Sequence, residues 1–366
     1  MQGETRLNRG GGFLKRIDER DVIFSRLLYG SETAAHADYY KDRPGQKEID
    51  DVFRTRPPFG GEGAAFFDPV NTPISDACFE FLAALRGFVD GKVSPHRTEA
   101  SPEVFTRRVK GLAGYYNAKL VGITLADPDF YYSNKGRPLC AYGEPVEPTH
   151  KFAIAFAVEM DRDMIFRAPQ QAETMAVTKG YIEAATIGMV LSYYIRALGY
   201  AARNHMDGSY LVVAPLVAQA AGLGEIGRSG LLITKEYGPR VRLGVVTTDL
   251  PLLTDEKKDF GIAGLCEVCK RCAMSCPAKA IPGGDRTDYG GCPGRDIDSD
   301  KCFANWQRIG TDCGICLAAC PLSGDIPAEL RDGLAASPDS RAKLLEDCDG
   351  KCKIRPYVGG NPDWMR

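Results

Sequence analysis

Long apolar runs are missing from this chain of 366 residues. Stretches such as KFAIAFAVEM (151–160) stop well short of the ~20 residues that cross a bilayer as a helix. The opening residues, MQGETRLNRGGGFLKRIDERD, carry neither the apolar h-region of a secretory signal nor a twin-arginine pair, so a cytoplasmic location is expected. A surplus of one charge is missing too. Lys and Arg number 46 against 48 Asp and Glu, a formal charge of −2. That leaves no global basicity for nucleic acid and no polybasic block for a membrane surface. Phosphate-binding signatures are absent: there is no Walker loop, and the glycine-dense AGLGEIGRSG (221–230) departs from G-x-G-x-x-G. Histidine is scarce, with four in the chain. Composition is otherwise that of a globular protein, with 44% hydrophobic and 26% charged residues.

Cysteine is what the chain has in excess. Of its 13 cysteines, nine fall between positions 266 and 320, a clustering that points to metal rather than to a disulfide framework. Cys266, Cys269, Cys272 and Cys276-Pro277 follow the C-x2-C-x2-C-x3-C-P run of bacterial ferredoxins, whose fourth cysteine serves the other cluster. A second run, Cys313, Cys316 and Cys320-Pro321, has the same tail but Gly310 where its first cysteine would stand. The missing ligand must come from elsewhere: Cys302 in DSDKCFANW is the nearest candidate, and Cys292 the other. The expected sets are Cys266, Cys269, Cys272 and Cys320 for one [4Fe–4S] cluster, and Cys276, Cys302, Cys313 and Cys316 for the second. A four-cysteine zinc ribbon is the alternative, and two interlocked runs ending in Cys-Pro argue against it. Cys348 and Cys352 remain as a possible metal or redox pair.

Most of the chain precedes these runs. Residues 1–72, rich in Gly, Pro and charge, read as an irregular arm wrapped over the surface. Residues 73–254 read as a core. It holds helices at 74–89 and 103–117, strands at 118–126 and 151–160, a long helix at 170–200, and strands at 209–215 and 241–250. Strands alternating with helices indicate an α/β (α+β) layered architecture. The cysteine-rich module follows at 255–330, and a tail at 331–366 is expected to pack on the core.

The segments GYIEAATIGMVLSYYIRALGY and AQAAGLGEIGRSGLLITKEYGPRVRLGVVTTDLPL, followed by the two cysteine runs with DKCFANW between them, resemble the cobalamin-dependent reductive dehalogenases. DERDVIFSR near the N-terminus is similar as well. The resemblance implies a corrinoid-binding core of nitroreductase-like type with an appended bacterial two-[4Fe–4S] ferredoxin domain. It implies a cobalamin held base-off, reduced to Co(I) by two single-electron deliveries. The reaction converts an organohalide R–X to R–H and halide. None of His36, His96, His150 and His205 lies in the D-x-H-x-x-G pattern that would supply a lower histidine, which agrees with a base-off corrinoid. An external ferredoxin, flavodoxin or reductase would supply electrons. No nucleic acid partner is expected.

The resemblance also implies site residues. Tyr181 in TKGYIEAA matches the proton donor and Arg240 in EYGPRVR its basic partner. A phenol titrates near about 10, and a guanidinium beside it favours the phenolate. Corrinoid contacts are expected from Thr178, from Leu223, Gly224, Gly227, Arg228, Ser229, Gly230 and Leu231 of the glycine-dense loop, and from Tyr237 and Gly238. Glycines there would let backbone amides approach a large cofactor. Asn204 or Asp207 corresponds to a substrate-orienting asparagine, and Tyr131, Tyr132, Tyr193, Tyr194 and Trp306 are aromatic candidates for the pocket wall. Two other readings share the cysteine runs. An epoxyqueuosine reductase-like enzyme would use a carboxylate donor and a basic tRNA-binding surface, and a non-catalytic corrinoid or electron carrier would lack a positioned acid.

Overall fold

The computed structural model describes residues 16–137, 139–284, 297–352 and 354–366, together with the backbone of 288–289 and 292–293. The side chain of Cys292 therefore lies outside the described residues.

The core is a four-stranded sheet in the order Leu120–Leu125, Phe152–Glu159, Val241–Thr248, Ala202–His205. Every neighbouring pair is antiparallel. The strand Phe152–Glu159 reads as an unbroken apolar run because both of its faces are covered. Successive side chains point to opposite faces. Ile154, Phe156 and Val158 pack on Ile187, Leu191 and Ile195 of the long helix, while Ala153, Ala155 and Ala157 share the opposite face with Val217, Ala218 and Leu223. Each large aliphatic or aromatic side chain so buried contributes about 1.5–3 kcal/mol. Phe156 pairs with Gly244, where a Cβ would stand 2.3 Å from its ring. The ring fills the space that a side chain at 244 would need.

The helix Gln171–Ala197 runs 27 residues, about 40 Å at 1.5 Å per residue. Every residue from Gln171 to Thr178 is buried, which its small side chains permit. It ends at Gly199, whose φ of +89° is the left-handed conformation glycine adopts after a helix C-terminus.

In the cysteine module, helix Arg271–Ser275 faces Ile315–Ala319, helix Ile262–Cys269 packs on Glu225–Ile226 and Pro338–Lys351, and Cys302 of Ser299–Ile309 packs beside Ala273 and Cys276. The two Cys-Pro exits are conformationally alike. Cys276 and Cys320 are both extended, as residues preceding proline must be, and each N–H bonds three residues back, to Ala273 and Leu317. Gly310, standing where the second run lacks a cysteine, closes a helix at φ +79°.

Two expectations need correcting. From residue 16 on the arm is not irregular: it folds into helices Ala34–Tyr40 and Pro44–Thr55, closed by a buried group of Tyr29, Tyr39 and Tyr40, and residues 1–15 lie outside the described residues. Charged residues misled the reading because they make internal pairs. Arg26 bridges Asp50 and Asp300, and Phe53 stacks edge-on against Phe303, tying the arm to the cysteine module. Residues 209–215 are not a strand but make one bridge, Val212 to Tyr131. The slot beside Val241–Thr248 is taken by Ala202–His205, and Pro215 starts the helix Ala214–Ala220. The tail helix Pro338–Lys351 sets Leu344 and Cys348 among Ile262, Leu265 and Leu322 of the module, and Met365 reaches Ala172 and Met175 of the long helix.

Candidate active site

A cavity of about 440 Å³ lies between the sheet layer and the cysteine module. Helical spacing builds one wall. Glu173, Val177 and Tyr181 are four residues apart along the long helix, so they stack on one face, and all three line the cavity. Arg242 joins them from the strand Val241–Thr248. A Cβ on Gly180 would stand 3.0 Å from that of Arg242, so the glycine lets strand and helix meet here. The Arg242 guanidinium lies 4.1 Å from the centroid of the Tyr181 ring, and Tyr181 also packs on Phe79. Tyr210 and Tyr132 form a second wall. The third is the cysteine module itself, through Cys276, Cys302, Cys313 and Cys316, with Trp306 and Asp312.

Burial governs the electrostatics. The Tyr181 phenol is drawn down by Arg242, but burial together with Asp207 and Asp312 outweighs the cation and holds it above the ordinary range. It therefore carries its proton at neutral pH, whereas the sequence reading stressed the guanidinium. Burial also holds the Tyr210 phenol high. Arg242 stays a cation: burial opposes its charge, and Tyr181, Asp312, Tyr210 and Glu173 prevail. Its Nε has no hydrogen-bond partner. Glu173 and Asp312 are both pushed up, first by burial.

The thiols gather in two adjoining groups. Cys320 is the electrostatic neighbour of Cys269, Cys266 and Cys272. Cys313 neighbours Cys302 and Cys276, and Cys316 neighbours Cys313 and Cys302. The two sets adjoin through Cys316 and Cys272. Burial raises the thiols of Cys272 and Cys313 to about 12 and that of Cys302 to about 11. Among the described residues no three His, Cys, Asp or Glu side chains close around a single ion. Cys348 is buried beside the first set, and the Arg271 guanidinium reaches Cys352.

Several expected site residues lie elsewhere. Arg240 is not the partner of Tyr181. It precedes the strand, and its guanidinium is occupied by Ser323 O at 2.8 Å, Met160 O at 2.7 Å and Glu159 Oε1 at 3.0 Å. The cation on the phenol is Arg242. Of the expected corrinoid contacts, Ser229 and Leu231 line the cavity; Thr178, Leu223, Gly224, Gly227, Arg228, Gly230, Tyr237 and Gly238 do not. Thr178 bonds its own helix at Met175 O, and Leu223 belongs to the sheet core. The glycine-dense loop instead serves the cysteine module. The Arg228 N–H donates to Cys266 Sγ at 3.4 Å, and its guanidinium holds Cys266 O, Pro282 O and Gly284 O. Gly238 has φ +58°, and a Cβ there would lie 2.5 Å from Leu322 O.

Tyr132 and Trp306 do line the cavity, whereas Tyr131 is buried in the sheet core. Asn204 is buried against Ala185 O, and Asp207 pairs with Arg86. Tyr193 is half exposed, and Tyr194 packs on the core. Sequence reasoning missed Arg242, Tyr210, Glu173 and Asp312. The signal for Glu173 was its spacing of eight residues from Tyr181, and for Arg242 its isolation within an apolar strand.

Residues 265–323 match the 4Fe–4S dicluster domain family. In sequence the chain is 38% identical over 181 residues to the tetrachloroethene reductive dehalogenase of Sulfurospirillum multivorans, covering 46% of this chain and 35% of that one. It is 32% identical over 128 residues to the epoxyqueuosine reductase of Lactococcus garvieae, covering 34% and 35%. The chain thus matches about a third of the length of these curated relatives. A solved catabolic reductive dehalogenase, NpRdhA in complex with 3-bromo-4-hydroxybenzoic acid, superposes with a TM-score of 0.75 at 23% identity, covering 96% of this chain and 48% of the other. The fold is that of a reductive dehalogenase with a 4Fe–4S dicluster domain, and the chain is related in sequence to those enzymes and to the epoxyqueuosine reductases. Among the described residues no helix is long and apolar enough to cross a membrane.

Proposed function

We propose that the chain carries out reductive dehalogenation, R–X + 2 e⁻ + H⁺ → R–H + X⁻, at a corrinoid bound in the cavity. The observation that carries this reading is the pairing of opposite walls: the phenol of Tyr181 and the cation of Arg242 on one side, Cys276, Cys302, Cys313 and Cys316 on the other. The residues suit the cofactor. The lining is largely apolar, and Cys276, Cys302, Cys313 and Cys316 stand on one of its walls. Ser229, Leu231 and Val177 would touch the macrocycle, and the two cysteine sets would hold the [4Fe–4S] clusters. When bound, a corrinoid supplies a strongly reducing cobalt able to break a carbon–halogen bond.

The chain's own residues do the rest. Tyr181 holds a proton at Oη where the new C–H bond forms. Arg242 lowers the cost of leaving a phenolate behind, because a neighbouring cation stabilises that charge. The apolar walls and Trp306 exclude water that would compete as a proton source. Clusters held by the two cysteine sets would supply an electron relay, and the set of Cys276, Cys302, Cys313 and Cys316 is the one that lines the cavity. Anaerobic loading with iron, sulfide and cobalamin, then assay of a panel of aryl and alkyl halides with a low-potential reductant, tests the proposal. Stoichiometric halide and dehalogenated product are expected. Loaded protein that releases no halide from any of them would refute it.

A further inference from the structure

The wall that carries Tyr132 and Tyr210 is built from three chain segments laid side by side, with residues 130–134 in the middle. On the inner side, the Tyr132 N–H donates to Leu211 O at 2.9 Å and the Val213 N–H to Phe130 O at 2.7 Å, with Tyr131 opposite Val212. Tyr132, Tyr210, Val212 and Val213 all line the cavity. Leu211 is anchored in turn, its N–H donating to His205 Nδ1 at 3.2 Å. On the outer side runs the N-terminal arm. There the Ser133 N–H donates to Ile17 O at 2.7 Å and the Glu19 N–H to Asn134 O at 3.2 Å. Arg16 closes this side: its Nε donates to Tyr131 O at 3.2 Å, and its Nη2 to Val146 O at 2.6 Å and to Tyr132 O. One guanidinium thus ties the backbone behind Tyr132 to Val146, which is buried in the sheet core.

We infer that Arg16 is a positioning residue for the cavity: its fork on the carbonyls of Tyr131, Tyr132 and Val146 fixes the Tyr132 ring in the wall before a substrate arrives. The inference rests on the cavity being the site of halide reduction, as proposed above. Two short paired segments hold poorly alone and are steadied by a third. Without Arg16 the outer segment keeps two backbone bonds to residues 130–134. A guanidinium suits the task because its N–H donors lie in one fixed plane, whereas a lysine ammonium is a point charge on a flexible stem. A ring already fixed costs a substrate nothing to order, and a mobile one must be immobilised on binding. Tyr181 and Arg242 stand on other elements, the long helix and the strand Val241–Thr248. Arg16 therefore acts on substrate binding and not on the proton transfer.

The test compares Arg16→Met and Arg16→Lys in the full chain with Arg20→Met. Arg20 lies in the same segment, but its guanidinium meets Asp18 and the Tyr142 ring, neither of which lines the cavity. The first readout is ¹⁹F NMR of protein labelled with 3-fluorotyrosine, its clusters loaded and oxidised and no corrinoid added; Tyr132→Phe assigns the resonance. Arg16→Met is expected to shift or broaden the Tyr132 line, Arg16→Lys to do so less, and Arg20→Met to leave it as in the wild type. Should Arg16→Met not fold, Arg16→Lys carries the same comparison. The second readout is halide release by the corrinoid-loaded chain. Arg16→Met should raise KM roughly 2- to 10-fold, the cost of ordering one side chain on binding, with kcat held within about twofold because the proton donor is untouched. An unmoved Tyr132 line, an equal shift in Arg20→Met, or an unchanged KM overturns the inference and leaves the dehalogenase reading standing. A loaded wild-type chain that releases no halide overturns that reading, and with it the placing of Arg16 in a halide-reducing site.

Discussion

Replacing Tyr181 by Phe removes one hydroxyl and little else. The ring keeps its packing on Phe79, at 5.8 Å between centroids, and its place under the Arg242 guanidinium at 4.1 Å. The stability change should stay within about 1 kcal/mol, the net worth of one hydrogen bond. Iron and corrinoid contents should be those of the wild type. Turnover is another matter. A positioned general acid contributes about 10²–10⁴-fold, so the variant should lose about 3–5 kcal/mol of transition-state stabilisation. The assay is halide release per corrinoid-loaded chain at saturating reductant, with iron and cobalt measured on the same sample. A Tyr181→Phe protein with full cofactor content and wild-type halide release would refute the reasoning, because the proton would then come from water or from another group such as Tyr210.

Further outcomes follow from the same geometry. Arg240→Met should lower stability by about 2–4 kcal/mol, since three short bonds from a buried guanidinium are lost, yet halide release per folded molecule should persist; the melting temperature and specific activity separate the two effects. Cys302→Ser should deplete the iron of the set facing the cavity, whereas Cys292→Ser should not, as iron analysis and cluster EPR would reveal. His205 gives the pH dependence. Burial holds its pKa well below the ordinary value, so as pH falls below about 6.5 the unfolded chain binds a proton that the fold refuses. Stability contributed above that pH is lost on acidification, by up to about 1.4 kcal/mol per pH unit. His205→Gln should flatten the dependence of melting temperature between pH 7.5 and 5.5.

The cysteine module was legible because its ligands are local. The intervals of C-x2-C-x2-C-x3-C-P are fixed by the turns that carry them, and the absence of a cysteine at Gly310 left Cys302 and Cys292 as candidates for the missing ligand. The buried strand and the long helix were legible as well, from an apolar run and from a stretch of small residues. What failed was everything set by a long-range contact. Arg240 and Arg242 are two residues apart, and nothing local says which of them finds Tyr181. The choice is made by Ser323 and Met160, whose carbonyls capture Arg240. The glycine-dense loop was read as a cofactor cradle because glycine marks close approach without naming the approaching group, which here is the Cys266 turn and Leu322. The charged arm was misjudged for the same reason: Asp50 and Asp300 are far apart in sequence, and Arg26 joins them only in the fold.

The most direct measurement is EPR of the cobalt in protein reconstituted anaerobically with iron, sulfide and cobalamin. The account predicts about eight irons per chain, as two cubanes require, and a Co(II) spectrum free of nitrogen splitting from a lower axial ligand. A chain that takes up its iron but retains no cobalamin would contradict it, because the cavity between Tyr181 and Cys313 would then have no cobalt to serve.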